Sequence, residues 1–264
     1  MIDPILVRED LEGNIARLTL NSPGSLNALS DGMLAAMSDE LARLANDKAT
    51  KVVILRGTGK VFCAGHDLKE MQAGRQSPDN GAAYFADLFN RCAAVMQAIT
   101  TLPQPVIASA HGIATAAGCQ LVATCDMAVA AEGTRFGVNG VNIGLFCSTP
   151  MVALTRNVNA KQAFEMLVTG EFIDATRARE IGLVNRVVAP DALEDETLAL
   201  ARIVASKLGS AVRIGKRAFY DQRQLSLADA YAHAGSVMVE NMLHRDTDEG
   251  ISAFLEKRKP DWPS

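Results

Sequence analysis

The sequence predicts an α/β fold in which a core of alternating strands and helices precedes a helical C-terminal segment. Short apolar runs rich in β-branched residues, each stopped by glycine, alternate with stretches whose apolar residues recur at helical spacing. After residue 150 the helical spacing predominates. A chain of 264 residues with 48% hydrophobic content can bury the core of one domain, so a second domain is not required.

The first elements are predicted from alternation and capping. ARLTLN, at residues 16–21, alternates apolar and polar residues as a half-buried strand does, and the SPG that follows breaks the strand. A helix is expected over residues 30–45, because Ser30 or Asp31 can cap its N-terminus. The apolar residues that recur on one face of this helix are Met33, Leu34, Met37, Leu41 and Leu44.

Two apolar runs predict buried parallel strands, KVVILRG at residues 51–57 and PVIASAHG at residues 105–112. Between them, helical spacing over residues 82–99 predicts a helix. A short helix from Gly118 then leads into a further strand at residues 127–131.

Helical periodicity recurs over residues 160–168, 176–181, 192–208, 211–222, 227–243 and 250–258. One strand is predicted among these helices, LVNRVV at residues 183–188. We therefore divide the chain into a core, residues 1–190, and a C-terminal helical region, residues 191–264. That region carries more apolar surface than a lone terminal arm should expose, so we expect it to pack on the core or on another subunit.

Charge and hydropathy exclude several classes of partner. The formal net charge is −4 and the basic residues are dispersed, so neither nucleic acid nor an anionic membrane surface is an expected partner. No apolar run reaches the roughly 18 residues that a membrane span needs. The N-terminus has neither an apolar signal segment nor an Arg-rich and Ser-rich presequence, and we therefore expect a cytoplasmic protein.

The cysteines and histidines predict no metal site. Most of the five cysteines lie in apolar runs without CxxC pairing, which favours reduced, buried thiols. The four histidines are linked by no HExxH spacing. GxxxxGK[ST], GxGxxG and GxSxG are absent as well, so no nucleotide cofactor or serine-hydrolase elbow is expected. Cys147 as a nucleophile is disfavoured, because no base accompanies it in the sequence.

Two turns of small residues stand out, and each lies between a strand and a helix. The first turn is part of FCAGHDLKEM at residues 62–71, and the second turn is part of ATAAGCQL at residues 114–121. Each can be explained structurally, the first as a glycine turn with Asp67 as N-cap and the second as tight helix-on-strand packing. Because both follow neighbouring strands, converging backbone N–H groups that form an oxyanion hole are the alternative.

The motifs AGHDLKEM, PVIASAHGIATAAGCQLVATCDMAVA and TGEFIDATRAREIGLVNRVV resemble three successive signatures of the enoyl-CoA hydratase/isomerase, or crotonase, superfamily. NSPGSLNALS and AFLEKRKPDW match as well, so the resemblance covers essentially the whole chain. It implies a ClpP-like spiral of ββα turns, with C-terminal helices that build homotrimers or hexamers made of two trimers. It also implies an acyl-CoA thioester as the ligand or substrate, with no other cofactor.

The resemblance assigns the backbone amides of His66 and Ala117 as the two donors to the thioester carbonyl. Lys69 matches a family lysine near the CoA diphosphate, and Lys257 or Lys259 matches a basic tail that can reach CoA. The residues assigned to substrate or CoA binding are Ala64, His66, Asp67, Leu68, Lys69, Ala117, Gly118, Lys257 and Lys259.

The resemblance also places Gln120 and Gly140 where true hydratases carry two glutamates. Hydration needs one group to deprotonate water and another to protonate the α-carbon, and neither glutamine nor glycine can titrate. Ordinary hydration should therefore be severely impaired. His66 or Cys147 could replace the missing groups if the pocket perturbed them.

Three hypotheses follow from the resemblance and its departures. The protein is an enzyme that polarises an acyl-CoA thioester for a reaction other than hydration, or a non-catalytic acyl-CoA binder, or a hydratase that uses unconventional residues. Replacing Gln120 and Gly140 together with glutamate should raise hydration if the pocket otherwise resembles that of the family.

Overall fold

A computed structural model describes residues 3–262 of the chain. Within them lie nine strands: β1 (Leu6–Leu11), β2 (Ile15–Leu20), β3 (Val52–Gly57), β4 (Val106–Ala110), β5 (Ile113–Thr115), β6 (Met127–Ala131), β7 (Arg135–Gly137), β8 (Ile173–Asp174) and β9 (Arg186–Val188).

The same part of the chain forms eleven α-helices: α1 (Asp31–Asn46), α2 (Leu68–Gly74), α3 (Ala82–Thr101), α4 (Ala117–Thr124), α5 (Ser148–Asn157), α6 (Ala160–Thr169), α7 (Ala175–Glu180), α8 (Leu193–Ala205), α9 (Gly209–Gln222), α10 (Leu227–Met242) and α11 (Arg245–Leu255).

Two sheets organise the core. The larger has the order β1-β2-β3-β4-β6-β9, and every neighbouring pair is parallel except β1 with β2. The smaller has the order β5-β7-β8, with β5 and β7 parallel. Since parallel strands need helical crossovers, the chain alternates between strand and helix through the core, as the sequence predicts.

The predicted elements of the first half are confirmed with small shifts of their ends. α1 begins after Ser30, whose hydroxyl accepts a hydrogen bond from the amide of Met33 at 3.1 Å. Of the two predicted N-caps, Ser30 is therefore the one that caps α1. All five predicted apolar positions of α1 are buried in the core. β3, β4 and β6 are buried parallel strands.

Several local predictions are wrong or incomplete. β1 was not predicted, because LVREDL is an edge strand whose charged side chains break the apolar pattern. The strand expected over residues 183–188 is limited to Arg186–Val188. The last helix begins at Arg245 and ends at Leu255 instead of spanning residues 250–258. α5 and the small sheet were also missed.

Both faces of the larger sheet are covered. α1, α3 and α4 contribute to one hydrophobic cluster, and α8 contributes Leu193, Leu200, Ala201 and Ala205 to a second cluster that also contains Ile54 and Ile107. α8 therefore packs on the sheet although it begins after residue 190. The division into a core and a trimerisation region stays a prediction.

A buried charged cluster fixes α9 to the core. Lys216 Nζ lies 2.7 Å from Asp126 Oδ2 and donates to the carbonyl oxygens of Ile99 and Gln104, both at 2.9 Å. Tyr220 donates to Asp126 Oδ1 at 2.9 Å. Asp126, which directly precedes β6, is thereby bonded to two side chains of α9. It is therefore not free for proton transfer.

The last helices expose apolar side chains. Those on α10 and α11 are Leu227, Tyr231, Met238, Val239, Met242, Ile251, Phe254 and Leu255. Within residues 3–262, no helix is both long enough and apolar enough to span a bilayer.

Candidate functional site

The two turns of small residues lie side by side. Cys63 and Ala114 form a parallel bridge, and the amide of Thr115 donates to the carbonyl of Cys63 at 3.1 Å. An alanine in place of Gly65 would put its Cβ 3.3 Å from the amide nitrogen of Ala117. The structure therefore brings together the two segments that the sequence singled out.

Glycine permits this close approach in both turns. Gly65 has a φ of +90°, a conformation that residues with a side chain rarely adopt. A Cβ on Gly118 would lie 2.2 Å from the carbonyl oxygen of Cys63. The second turn therefore shows the tight helix-on-strand packing that was one of its two predicted explanations. It is compatible with a binding role for the backbone.

The second turn contains a strained residue. Ala116 has a φ of 50° and a ψ of −119°, and its amide donates to the carbonyl of Gly137 at 2.9 Å. Such a conformation costs about 1–3 kcal/mol in a residue other than glycine and concentrates at functional sites. Its effect is to place Ala117 at the first position of α4, where a helix leaves its N–H groups unpaired.

Two backbone donors are free at this junction. Within residues 3–262 the amides of His66 and Ala117 donate to no protein acceptor, although neighbouring groups are paired. The carbonyl of Gly65 accepts from Leu29 at 2.7 Å, and that of Ala116 accepts from Gln120 at 3.0 Å. Free amides at a helix N-terminus favour an anionic or partly anionic oxygen.

Gln120 lies on the first turn of α4 and is 5% exposed. Its Oε1 is shielded from solvent and has no hydrogen-bond partner in the described part of the chain. Buried polar atoms are almost always paired, so an unpaired oxygen at this position is unusual. The side chain can orient a polar group but cannot exchange a proton with it at neutral pH.

Gly140 is enclosed by the loop that follows it. The amide of Leu145 donates to the carbonyl of Gly140 at 2.9 Å. A Cβ on Gly140 would lie 2.1 Å from the carbonyl oxygen of Leu145 and 2.8 Å from Cys147 Sγ. The sequence suggested that glutamate could be restored here, but no space remains for a side chain unless the loop moves.

The pairing of β5 with β7 brings the Gly140 segment to the second turn. Thr115 pairs with Gly137, and the hydroxyl of Thr115 donates to Asn139 Oδ1 at 2.6 Å. This bond fixes the orientation of the Asn139 amide beside the candidate site. Asn139 can therefore orient a polar group but has no proton to exchange with it at neutral pH.

The side chain of His66 packs against residues of two other segments. Its Nδ1 lies 3.3 Å from the carbonyl oxygen of Leu29, and its ring packs edge-on against Phe89 with 5.7 Å between centroids. Its Nε2 is buried and unpaired within the described residues. Burial is the main cause that lowers the pKa of His66 below its usual value.

Sequence reasoning missed an aromatic row on α3 that leads to His66. Phe85 stacks on Phe89 with 6.5 Å between centroids, and Tyr84 packs edge-on against Phe85 at 5.6 Å. The hydroxyl of Tyr84 is buried without a partner in residues 3–262. The only signal in the sequence was the (i, i+4) spacing of the two phenylalanines, which a helix core explains equally well.

Comparison with known families connects this arrangement to a class of proteins. The sequence profile described as enoyl-CoA hydratase/isomerase matches residues 10–264. The chain belongs to the enoyl-CoA hydratase/isomerase family. Crystal structures confirm the crotonase fold: an enoyl-CoA hydratase from Mycobacterium smegmatis is 54% identical with a TM-score of 0.95, and covers 98% of this chain and 99% of its own.

One branch of the family is prominent among the relatives. Human mitochondrial enoyl-CoA hydratase domain-containing protein 3 is 46% identical over 248 residues, which cover 94% of this chain and 80% of the relative. The human protein's crystal structure has a TM-score of 0.92 at 44% identity, and covers 98% of this chain and 100% of its own.

The names of these relatives correct the predicted compartment. Those from Xenopus laevis, mouse and human are named mitochondrial. The prediction of a cytoplasmic protein is therefore wrong. It rested on the lack of a recognisable presequence in the first residues, and that observation does not decide the compartment.

The other residues that the family resemblance assigned are placed unevenly. Asp67 is the N-cap of α2, as predicted, because its carboxylate accepts a hydrogen bond from the amide of Lys69 at 2.8 Å. Leu68 and Lys69 are exposed, and Ala64 is half-buried beside the first turn. Lys257 and Lys259 follow α11, and within residues 3–262 no hydrogen bond or ion pair joins them to either turn.

Cys147 is a poor nucleophile in this environment. Its thiol is buried against Gly140, and burial raises its pKa. Burial also raises the pKa of Cys63 and of Cys119, each to about 12. Within the described residues no group of three or more His, Cys, Asp and Glu side chains is arranged to hold a metal ion.

Proposed function

We propose that this protein binds an acyl-CoA thioester and polarises its carbonyl through the amides of His66 and Ala117. The observation that carries the proposal is the pair of unpaired amides at the junction of the two turns, one of them preceded by the strained Ala116. Strain of this kind persists only where the surroundings impose it. Here it frees an N–H group at the start of a helix.

The chemical consequence is stabilisation of an enolate. When a proton leaves the α-carbon of a thioester, negative charge develops on the carbonyl oxygen. Two preorganised N–H donors stabilise that charge, and each such donor is typically worth about 10²–10³ in rate. Backbone donors survive a change of side chain, so His66 can serve where another family member has a different residue.

Hydration of an enoyl-CoA is not the reaction we propose. It requires two groups that exchange protons with one water molecule. Gln120 cannot titrate, and the closed loop around Gly140 leaves no room for a second acid. The proposed reactions are therefore those that proceed through a thioester enolate and need only one proton-transferring group.

A non-catalytic acyl-CoA binder is the second candidate, because the closed loop at Gly140 removes the position from which family hydratases act. This candidate keeps the thioester contact and lacks turnover. In both candidates we propose a homotrimer, or a hexamer of two trimers, that covers the exposed apolar side chains of α10 and α11. Lys257 and Lys259 would then reach CoA on the same or a neighbouring subunit.

Calorimetric titration with crotonyl-CoA and longer acyl-CoAs tests the pocket, with free CoA as the reference ligand. We expect acyl-CoA to bind more tightly than CoA alone. Absence of binding to every acyl-CoA would contradict both candidates. A hydration assay of the same preparation should show turnover far below that of a family hydratase.

A matched pair of proline variants tests the amide donor. Ala117→Pro removes one N–H group at the first position of α4, but proline also disfavours the ψ of −119° that Ala116 adopts, so a crystal structure of the variant must show the second turn unchanged before its binding is compared. Ala160→Pro makes the same change at the first position of α6 and serves as the control. We expect only Ala117→Pro to lose the preference for acyl-CoA over CoA, with both variants shown to be folded by circular dichroism. Equal preferences would argue against the amide contact.

A further inference from the structure

A cavity lies between α8 and the larger sheet, on the face of that sheet opposite to α4. Alternate residues of β3 divide between the two hydrophobic clusters: Val53 and Leu55 join α4 in one cluster, and Ile54 joins α8 in the other. The cavity has a volume of about 250 Å³, and its lining includes Ile54 but no residue of segments 62–71 and 114–121. It is therefore separate from the proposed thioester site.

The sheet contributes two arginines to this cavity. Arg17 of β2 pairs with Ile54 in the sheet, and Arg56 lies two residues further along β3 on the same face. Their side chains are 16% and 31% exposed, so neither is sealed inside the protein. Because a guanidinium group keeps its charge at any physiological pH, two positive charges lie side by side in the cavity wall.

A carboxylate of the chain itself occupies the position between these arginines. Glu194, in the first turn of α8, accepts from Arg17 Nη1 with one oxygen and from Arg56 Nη1 at 3.0 Å with the other. A carboxylate therefore fits between the two guanidinium groups. The Glu194 side chain is 60% exposed, and an exposed ion pair contributes little to stability, so this carboxylate can leave at little cost.

The uncharged polar groups of the lining are already paired. The hydroxyl of Thr197 donates to the carbonyl of Leu193 at 2.7 Å and lies 3.2 Å from the hydroxyl of Ser109. His111 Nε2 lies 3.0 Å from the carbonyl oxygen of Gly59. A ligand of this cavity therefore needs one polar end, which meets the two arginines.

The remaining walls and the volume define the rest of such a ligand. The apolar residues of the lining are Leu11, Ile54, Pro190, Leu193 and Leu198. At the roughly 30 Å³ that a water-sized group occupies in a liquid, 250 Å³ holds about eight non-hydrogen atoms. Asp191 also lines the cavity, and its charge disfavours a second carboxylate on the ligand. An aliphatic monocarboxylate of about six carbons meets all of these conditions.

We propose that the cavity binds a short-chain aliphatic monocarboxylate. The carboxylate of the ligand displaces that of Glu194 from Arg17 and Arg56, and its chain lies against the apolar lining under α8. Glu194 then turns into solvent, and the two arginines keep a shared carboxylate partner. This site does not depend on the proposed contact between a thioester and the two free amides.

Titration with hexanoate, followed by saturation-transfer NMR, tests the cavity, with 1-hexanol as the uncharged reference ligand. We expect saturable binding of hexanoate with a dissociation constant of about 1 mM or lower, and weaker binding of 1-hexanol. Glu194→Gln keeps the size of the side chain and removes the competing charge. Hexanoate should therefore bind about 2–5-fold more tightly to this variant, the factor that corresponds to one exposed ion pair.

Two arginine variants locate the bound carboxylate. Arg56→Gln removes one guanidinium group and should weaken hexanoate binding by about 10–100-fold, as expected for loss of a hydrogen bond to a charged group, with the affinity for 1-hexanol unchanged. Arg43→Gln is the control, because Arg43 also pairs with a glutamate, Glu40, but lies on α1 outside the cavity. Its affinity for hexanoate should equal that of the wild type. Circular dichroism checks that each variant is folded.

The outcomes decide between a binding site and a purely structural ion pair. Absence of saturable hexanoate binding in both the wild type and Glu194→Gln would overturn the proposal. Hexanoate binding that Glu194→Gln weakens or leaves unchanged would overturn it as well, because Glu194 would then only tie α8 to the sheet. Wild-type affinity in a folded Arg56→Gln would place hexanoate elsewhere and have the same consequence. If Arg56→Gln does not fold, the comparison of Glu194→Gln with the wild type decides alone.

Discussion

A single methyl group at residue 140 tests whether the family's second acid position has been closed by the fold. In Gly140→Ala the new Cβ would lie 2.1 Å from the carbonyl oxygen of Leu145 and 2.8 Å from Cys147 Sγ. To reach a contact of 3.0 Å, the oxygen would have to retreat by 0.9 Å. The amide of the same leucine is held by the carbonyl of Gly140 at 2.9 Å, so the loop cannot move without weakening that bond.

Overpacking of this kind typically costs about 1–3 kcal/mol. We expect the upper part of that range, because the obstacle is a backbone atom and not the end of a flexible side chain. Gly24→Ala is the control, since nothing lies within 4 Å of its added Cβ and its φ is not positive. Its effect on the free energy of unfolding should stay within about 0.5 kcal/mol, as for an ordinary surface change.

Denaturant unfolding of the two variants and the wild type measures these free energies under one set of conditions. A Gly140→Ala protein as stable as the wild type would refute the reasoning, because the loop would then yield freely. In that case Gln120→Glu combined with Gly140→Glu could restore hydration, as the family resemblance suggested. If the loop is closed, the double variant should be destabilised and gain no hydration.

Other residues give further tests. Lys216→Met should lower the free energy of unfolding by about 3–5 kcal/mol, because it leaves Asp126 buried without its counter-charge. Tyr220→Phe should lower it by about 1.5–3 kcal/mol, because one hydrogen bond to a carboxylate is lost. Denaturant unfolding of each variant measures these changes. Because the pKa of His66 is lowered in the folded protein, the unfolded state binds more protons than the folded state when the pH falls below about 6.5. The free energy of unfolding should therefore decrease with acidification through that window, and this component should be absent in His66→Phe. Gln120→Glu alone introduces a carboxyl whose pKa burial should raise, and it should leave hydration near the wild-type level in a crotonyl-CoA assay.

The sequence allowed accurate prediction where a segment's own pattern determines its structure. β3 and β4 are predominantly apolar runs with one polar side chain each, Arg56 and Ser109, and such runs predict buried strands. α1 is predicted by its own cap, Ser30, and by its own apolar face. β1 was missed because pairing with β2 makes it a strand, whereas its own composition is charged. A propensity argument cannot include a partner that lies elsewhere in the chain.

The candidate site divides in the same way. Small residues in the two turns indicated close backbone approach, and Gly65 and Gly118 show that contact. The enclosure of Gly140 depends on the return of the chain at Leu145, which no motif encodes. Likewise, the unpaired Nε2 of His66 results from its packing against Leu29 and Phe89. A sequence identifies such a residue as titratable but cannot say whether its nitrogen is paired.

The central claim is that two backbone amides polarise a bound thioester carbonyl. Difference infrared spectroscopy of an acyl-CoA labelled with carbon-13 at the carbonyl measures that polarisation without requiring turnover. On binding to the wild type, the carbonyl stretch should shift to lower frequency, and the shift should shrink in Ala117→Pro but persist in Ala160→Pro. A bound thioester whose carbonyl stretch matches that of the free ligand would contradict the account.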